Sequence, residues 1–265
     1  MYAFRYERPH SLAEVETMLG QAADARVLAG GMSLLPAMKL RLSAPELLVD
    51  LRAVPGLSGI RVERDHVEIG AMTTHHDVAT SPAVAEALPA LASLAGGIGD
   101  VQVRYRGTAG GSIANCDPAA DYPAAVLALG ATIVTSRREI AADDFFLGMF
   151  TTALEPGEII VAIRFPRPRR AAYLKFANLA SRFAIVGLFA ARFERQVRIA
   201  VAGAAPSVFR LHAFEEALGA RFDRAAIEGL PLGAVDLFSD LHATAEYREN
   251  LIRVLAGRAV EALAD

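Results

Sequence analysis

Two diglycine turns about eighty residues apart constrain this chain more than any other feature. The first is Val27-Leu28-Ala29-Gly30-Gly31-Met32-Ser33-Leu34-Leu35-Pro36 and the second is Arg106-Gly107-Thr108-Ala109-Gly110-Gly111-Ser112-Ile113-Ala114-Asn115. Each reads as a strand-like stretch running into a helix-like one. Such a turn lets bare backbone N–H groups approach an anion with no Cβ in the way. A helix start behind it adds a favourable dipole. One turn of this kind proves little, whereas two in one short chain suggest the two sides of a diphosphate clamp. Neither turn is the Gly-x-Gly-x-x-Gly dinucleotide fingerprint, and neither is followed by the Gly-Lys-Ser/Thr of a phosphate loop.

The bulk properties narrow the classes around that clamp. The 265 residues allow one large or two small domains. The chain is 53% apolar and 22% charged with a net charge of −3, so no nucleic-acid or acidic-membrane partner is indicated. No segment resembles a signal peptide, and the longest apolar run falls well short of the roughly twenty residues of a spanning helix. A cytoplasmic protein is expected. Cys116 is the only cysteine, which excludes an internal disulfide and a protein-held iron–sulfur cluster with its about four ligands. Redox chemistry in such a chain rests on an organic cofactor.

Along the chain, Ser11-Leu12-Ala13-Glu14 predicts a capped helix stopped by Gly20. Short strands are expected at 26–29, 47–51 and 67–71, the first two closing a small βαβ-like lobe. Ser81-Pro82 opens a helical stretch to about Leu94, and 98–106 leads into the second turn. A helix starts at Asp121-Tyr122-Pro123 and ends at Gly130, and strands follow at 132–135 and 158–165. The segment Pro166-Arg167-Pro168-Arg169-Arg170 reads as the linker between two regions. Beyond it, 184–193 and 197–201 predict a hairpin, and 209–218 and 247–263 predict amphipathic helices.

Around the second turn, Thr108 and Ser112 offer hydroxyls, and Asn115, Asp117 and Asp121 offer polar groups for ribose hydroxyls or helix ends. Asp121 equally reads as a helix cap and Asp117 as an Asx turn before Pro118. His75 and His76, taken as adjacent strand residues, face opposite ways and cannot chelate one metal. Of the arginines at 104, 106, 137 and 138, Arg104 and Arg106 are the better functional candidates because they sit just ahead of the second turn, while Lys39 and Arg41, behind the first, read as solvent-facing. No catalytic acid or base and no metal site is expected.

These motifs resemble a known family. Residues 28–41 are similar to the first flavin-binding segment of the FAD-binding medium subunits of molybdenum hydroxylases, and 99–112 to the second, continuing through Asn115-Cys116-Asp117-Pro118-Ala119-Ala120-Asp121-Tyr122-Pro123. Gly70-Ala71-Met72-Thr73-Thr74-His75, Phe145-Phe146-Leu147-Gly148, Glu158-Ile159-Ile160, Tyr173-Leu174-Lys175-Phe176 and Ala180-Ser181-Arg182-Phe183-Ala184 add support. The resemblance covers essentially the whole chain and is nearest the carbon monoxide dehydrogenase medium-subunit branch. Met32, Tyr105 and Ala109 depart from the family's usual polar residue, asparagine and larger aliphatic.

The resemblance implies an α+β fold: a two-lobed FAD-binding domain of the vanillyl-alcohol oxidase type over 1–168, with lobes of about 1–55 and 56–168. A smaller C-terminal domain with an antiparallel sheet and helices would cover 169–265. It places Gly30, Gly31, Met32, Ser33, Leu34 and Leu35 with Ala109, Gly110, Gly111 and Ser112 on the FAD diphosphate, and Ala29 and Thr108 among the cofactor-binding residues. Asp121 would hold a ribose or nearby polar group, with Asn115 and Asp117 among the cofactor-binding residues. Ile98 and Ile160 align near positions touching the flavin or adenine, and Lys175 near the flavin ring. Implied partners are a large molybdopterin subunit and a small [2Fe–2S] subunit in a dimer of heterotrimers, together with an external electron acceptor. An independent FAD-dependent reductase and a non-catalytic nucleotide-binding scaffold are the rival readings. The lone cysteine disfavours the benzoyl-CoA-reductase-like branch, whose flavin subunit carries a further cluster.

Overall fold

The structure, a computed structural model, describes residues 1–264. The N-terminal lobe comprises β1 (Arg5–Glu7), α1 (Leu12–Gln21), β2 (Ala25–Leu28), α2 (Leu34–Lys39) and β3 (Leu47–Asp50). Its three strands are parallel in the order β1-β3-β2. All four residues of the central strand are buried, as expected for a parallel strand. Ser11 caps α1 by accepting from the Glu14 N–H at 3.2 Å, while the Glu14 carboxylate reaches back to the His10 N–H at 2.7 Å. That is the reciprocal capping box shifted by one residue. The helix runs one residue past Gly20, which stands in open space and offers no reason to stop. The exposed edge strand β1 carries no apolar alternation, so its sequence pattern gave no strand signal.

The second lobe carries β4 (Ile60–Val62), β5 (His66–Gly70), α3 (His75–Thr80), α4 (Pro82–Ala87), α5 (Pro89–Gly96), α6 (Val101–Arg106), α7 (Ala109–Asn115) and α8 (Tyr122–Leu129). Then come β6 (Thr132–Thr135), β7 (Glu139–Ala141), α9 (Ala142–Phe145), the hairpin β8 (Phe146–Gly148) with β9 (Thr151–Thr152), and β10 (Ile160–Pro166). A five-stranded antiparallel sheet runs β4-β5-β10-β6-β7. The helix expected from Ser81 to Leu94 breaks at Leu88, whose backbone leaves the helical region (φ −152°, ψ 67°) because Pro89 follows. Residues 101–106 are helical, not strand-like: Asp100 caps them by accepting from the Val103 N–H at 2.8 Å. His75 and His76 likewise open a helix, so the strand argument about their faces does not apply.

The C-terminal sheet is a meander of β11 (Arg170–Ala177), β12 (Ala184–Arg192), β13 (Val197–Ala202) and β14 (Phe209–Arg210), joined by α10 (His212–Ala220) and α11 (Ala245–Leu263). The stretch expected to be helical from Phe209 opens with the two-residue strand, and its helix starts at His212. The arginine- and proline-rich segment at 166–170 passes directly from β10 to β11. Period-2 alternation gives this sheet two apolar faces. Phe189, Ala191, Ala200 and Ala202 join the core of the second lobe, while Val186, Leu188, Ala190 and Ile199 join the core under α10 and α11. Among the described residues no helix is long and apolar enough to cross a membrane.

Candidate functional site

The first diglycine turn leaves the carboxyl end of the parallel sheet, where Leu28 of β2 pairs with Asp50 of β3. Open α/β sheets bind ligands beyond such strand ends. Gly31 sits at φ +77°, a region costly for side-chain-bearing residues. Gly30 is required for another reason: a Cβ there would lie 2.0 Å from the Arg106 carbonyl oxygen. The two turns therefore touch backbone to backbone. A Cβ on Gly111 would likewise stand 3.5 Å from the Ala29 Cβ. The pairing inferred from sequence is a physical contact.

Their hydrogen-bonding roles differ. Among the described residues nothing accepts from the N–H groups of Gly31, Met32, Ser33 or Leu34, while the Leu35 N–H turns back to the Gly31 carbonyl at 3.1 Å. Four successive free donors beginning at a buried glycine form a cradle for phosphate oxygens. The second turn has no such row. Ala109 and Gly110 donate to the carbonyls of Thr73 and Ala71 at 3.0 and 2.9 Å, and Gly111 donates to the Thr108 hydroxyl at 3.1 Å. Ser112 donates to the Thr108 carbonyl at 3.0 Å. A Cβ at Gly110 would collide with Ala71, so that glycine serves the chain's own packing. The clamp read as two rows of N–H groups is one row and a hydroxyl face. Thr108 can still donate its hydroxyl hydrogen, and the Ser112 and Asn115 side chains have no protein partner among the described residues.

Asp117 forms the Asx turn, accepting from the Ala119 N–H at 2.9 Å. Asp121 does not cap α8. The residue is buried, and Oδ1 accepts from Lys175 Nζ at 2.7 Å and from the Tyr173 hydroxyl. Lys175 also donates to the Gly97 carbonyl at 3.2 Å, beside Ile98. Arg104 fixes that loop by donating to the carbonyls of Ile98 and Gly99, both at 2.9 Å. Asp121, Lys175 and the Ile98 loop thus converge, joining the second lobe to β11. Burial pushes the Asp121 carboxyl above its ordinary range, against the opposing pull of Lys175 and Tyr173. Ile160 is buried in the second-lobe sheet, and its neighbour Ile159 packs into the first-lobe core.

In the sequence Tyr173 stands out only within the motif Tyr173-Leu174-Lys175-Phe176. Its spacing of two from Lys175 on a strand puts both side chains on one face, a signal that becomes readable once 170–177 is assigned as a strand. His75 also went unassigned. Its N–H donates to the Gly107 carbonyl at 2.9 Å, its ring lies 5.4 Å from that of Tyr122, and its Nδ1 and the Tyr122 hydroxyl have no partner among the described residues. Burial, with the nearby Arg104 charge, lowers the His75 pKa to about 4. His76 stacks on Tyr105 at 3.8 Å. Cys116 is buried, its thiol directed at the carbonyls of Gly148 and Thr151, and burial pushes its pKa up, which suits a structural thiol. Among the described residues no cluster of metal-binding side chains occurs.

The chain is similar to known proteins over nearly its whole length. A family model described as the FAD binding domain in molybdopterin dehydrogenase matches residues 2–168, and one described as the CO dehydrogenase flavoprotein C-terminal domain matches 168–263. The nicotine 6-hydroxylase medium subunit of Paenarthrobacter nicotinovorans is 36% identical over 97% of this chain and 96% of its own. The carbon monoxide dehydrogenase medium chain of Hydrogenophaga pseudoflava is 38% identical over 98% and 96%. Reconstituted CO dehydrogenase from Oligotropha carboxidovorans superposes with a TM-score of 0.92 at 37% identity, covering 98% of this chain and 97% of that one.

Proposed function

Because the chain belongs to the FAD-binding medium subunits of molybdenum hydroxylases, we propose that it takes electrons from the [2Fe–2S] clusters of a small partner subunit and passes them to an external acceptor. The observation that carries this reading is the row of four unengaged N–H donors from Gly31 to Leu34, set against the hydroxyl face of Thr108 and Ser112. A nucleotide diphosphate is the group such a surface suits. Ala29, Gly30 and Leu35 complete the first turn around it, and Ala109, Gly110 and Gly111 hold the second turn in place. Asn115 and Asp121 face ribose or ribityl hydroxyls, Asp117 shapes the loop between them, and Lys175 and Ile98 border the ring, with Ile160 behind it in the sheet.

Bound FAD supplies the redox chemistry, converting between single-electron and paired-electron carriers. The chain's own part is position and electrostatics: donors for the diphosphate, a buried carboxylate, and an ammonium held beside the ring. With one cysteine the chain leaves iron–sulfur clusters to a partner. A large molybdopterin subunit would oxidise the substrate, the assembly being a cytoplasmic dimer of heterotrimers. Since relatives are named for carbon monoxide and for nicotine, the oxidised substrate is set in that large subunit and not here. In this reading 1–168 form the FAD-binding domain, with lobes of about 1–55 and 56–168, and 169–265 the C-terminal domain.

The test is the visible absorption spectrum of the purified chain, with mass spectrometry of what heat releases. A flavin spectrum with released FAD, or uptake of added FAD by a colourless preparation, is the expected result. A chain that neither carries nor takes up FAD would sink the reading in favour of a nucleotide-free scaffold. The electron-transfer role is checked by co-purification with an iron–sulfur subunit and by reduction of the flavin from it.

A further inference from the structure

The polar contacts around Asp121 fall in an uneven pattern. Lys175 Nζ and the Tyr173 hydroxyl both converge on Oδ1, and no side chain donates to Oδ2 among the described residues. Tyr173 belongs to the C-terminal sheet, two residues from Lys175 on the same strand face, while Asp121 stands ahead of α8 in the second lobe. The carboxylate is 4% and the lysine side chain 10% exposed. An ammonium and a hydroxyl thus share one buried oxygen, and a fixed wall stands behind the hydroxyl.

That wall is the neighbouring strand. Gly187 of β12 lies opposite Lys175, diagonal to Tyr173. A Cβ at Gly187 would come 2.5 Å from the Tyr173 hydroxyl and 3.3 Å from its Cζ. The tyrosine thus lies across bare backbone, which sets how far its hydroxyl reaches toward Asp121. The ring's other neighbour is Phe189, 6.1 Å away between centroids.

We propose that Tyr173 is a positioning residue of the flavin site, with Gly187 as the space that admits it. By engaging Oδ1 from the C-terminal domain, Tyr173 keeps Asp121 ionised and oriented, so that Oδ2 presents to the cofactor and Lys175 stays beside the ring. The inference rests on the FAD reading above. It adds that the C-terminal domain completes the cofactor site through a hydroxyl that itself contacts no cofactor. A hydrogen bond to a charged group is worth enough to matter at this level.

The experiment uses the full chain freed of flavin and titrated with FAD, comparing wild type, Tyr173→Phe, Gly187→Ala and the double variant. Circular dichroism establishes that each is folded. Tyr173→Phe is expected to raise the FAD Kd about tenfold. It should also move the flavin midpoint potential upward, because a less fully ionised Asp121 leaves the Lys175 charge less neutralised. Gly187→Ala, which displaces the hydroxyl, should do the same. The double variant should be no worse than Tyr173→Phe within about twofold, since the added Cβ then meets no hydroxyl. Wild-type Kd and potential in Tyr173→Phe, or losses that multiply in the double variant, would overturn the proposal. A wild-type chain that takes up no FAD would instead remove the FAD reading on which it stands.

Discussion

Gly30 and Gly20 carry the same side chain, a single hydrogen, under opposite constraints. A methyl at Gly30 would overlap the Arg106 carbonyl, a backbone atom that cannot swing aside, whereas one at Gly20 meets nothing within 4 Å. Gly30→Ala should lower stability by about 1–3 kcal/mol through forced separation of the two turns, and FAD retention should fall with it. Gly20→Ala, inside a helix, should raise stability by about 0.5–1 kcal/mol. Thermal melts of both variants decide it; equal effects would mean that the turns do not meet as described. His75 supplies a pH signature at the same scale. Its folded pKa of about 4 lies below the ordinary 6.5, so neutral imidazole is what the fold accommodates. Stability from this residue is complete above pH 6.5 and declines as pH falls toward 4. His75→Phe should flatten that decline in Tm, and an unchanged slope would contradict it. The glycines themselves were plain in the sequence. What each glycine makes room for was not, because a colliding carbonyl from 76 residues away leaves no mark in local spacing.

At the scale of elements, segments with local punctuation were legible and those defined by neighbours were not. The capping serine of α1, the Pro82 start of α4 and the Gly130 stop of α8 were readable because caps and breakers act within a turn of chain. The helix at 101–106 was misread as extended: Val101, Val103 and Tyr105 alternate like a strand, and the Asp100 cap overrides that pattern. Strand β11 went unassigned although the residues that fill it were quoted. The β6–β7 turn shows how one side chain can hold an element. Glu158 accepts from Arg138 Nε at 3.0 Å, from the Thr135 hydroxyl at 2.7 Å and from the Glu155 N–H at 2.8 Å. The Arg138 hydrogen bond, with those from Glu155 and Thr135, outweighs burial and lowers the Glu158 pKa from 4.5 to about 2. Its stabilisation is therefore present above pH 4.5 and lost as pH falls toward 2. Glu158→Gln should be less stable at neutral pH and lose less between pH 4.5 and 2.5, which a pH series of melts measures. A variant whose melts parallel those of the wild type throughout would show that the carboxylate does not hold the turn.

Over the whole molecule, the apolar cores cross every sequence boundary. Leu57, Met72 and Ile159 belong to the core of the first lobe, and Phe189, Ala191, Ala200 and Ala202 to that of the second. Such sharing predicts one cooperative transition in calorimetry and not separate domain melts; two resolved peaks would refute it. The sequence reading placed a boundary near residue 168 but gave no hint of this interleaving, since alternation in β12 shows that both faces are covered without showing by what. The back-to-back contact of the two turns has a last consequence, in the language of preorganisation. Their relative placement is set when the chain folds, before any occupant arrives, so the conformational entropy of that loop pair is already lost at binding. Association then orders little besides the ligand itself. Dissociation, by the same token, does not proceed by the turns drifting apart, because their backbones already touch.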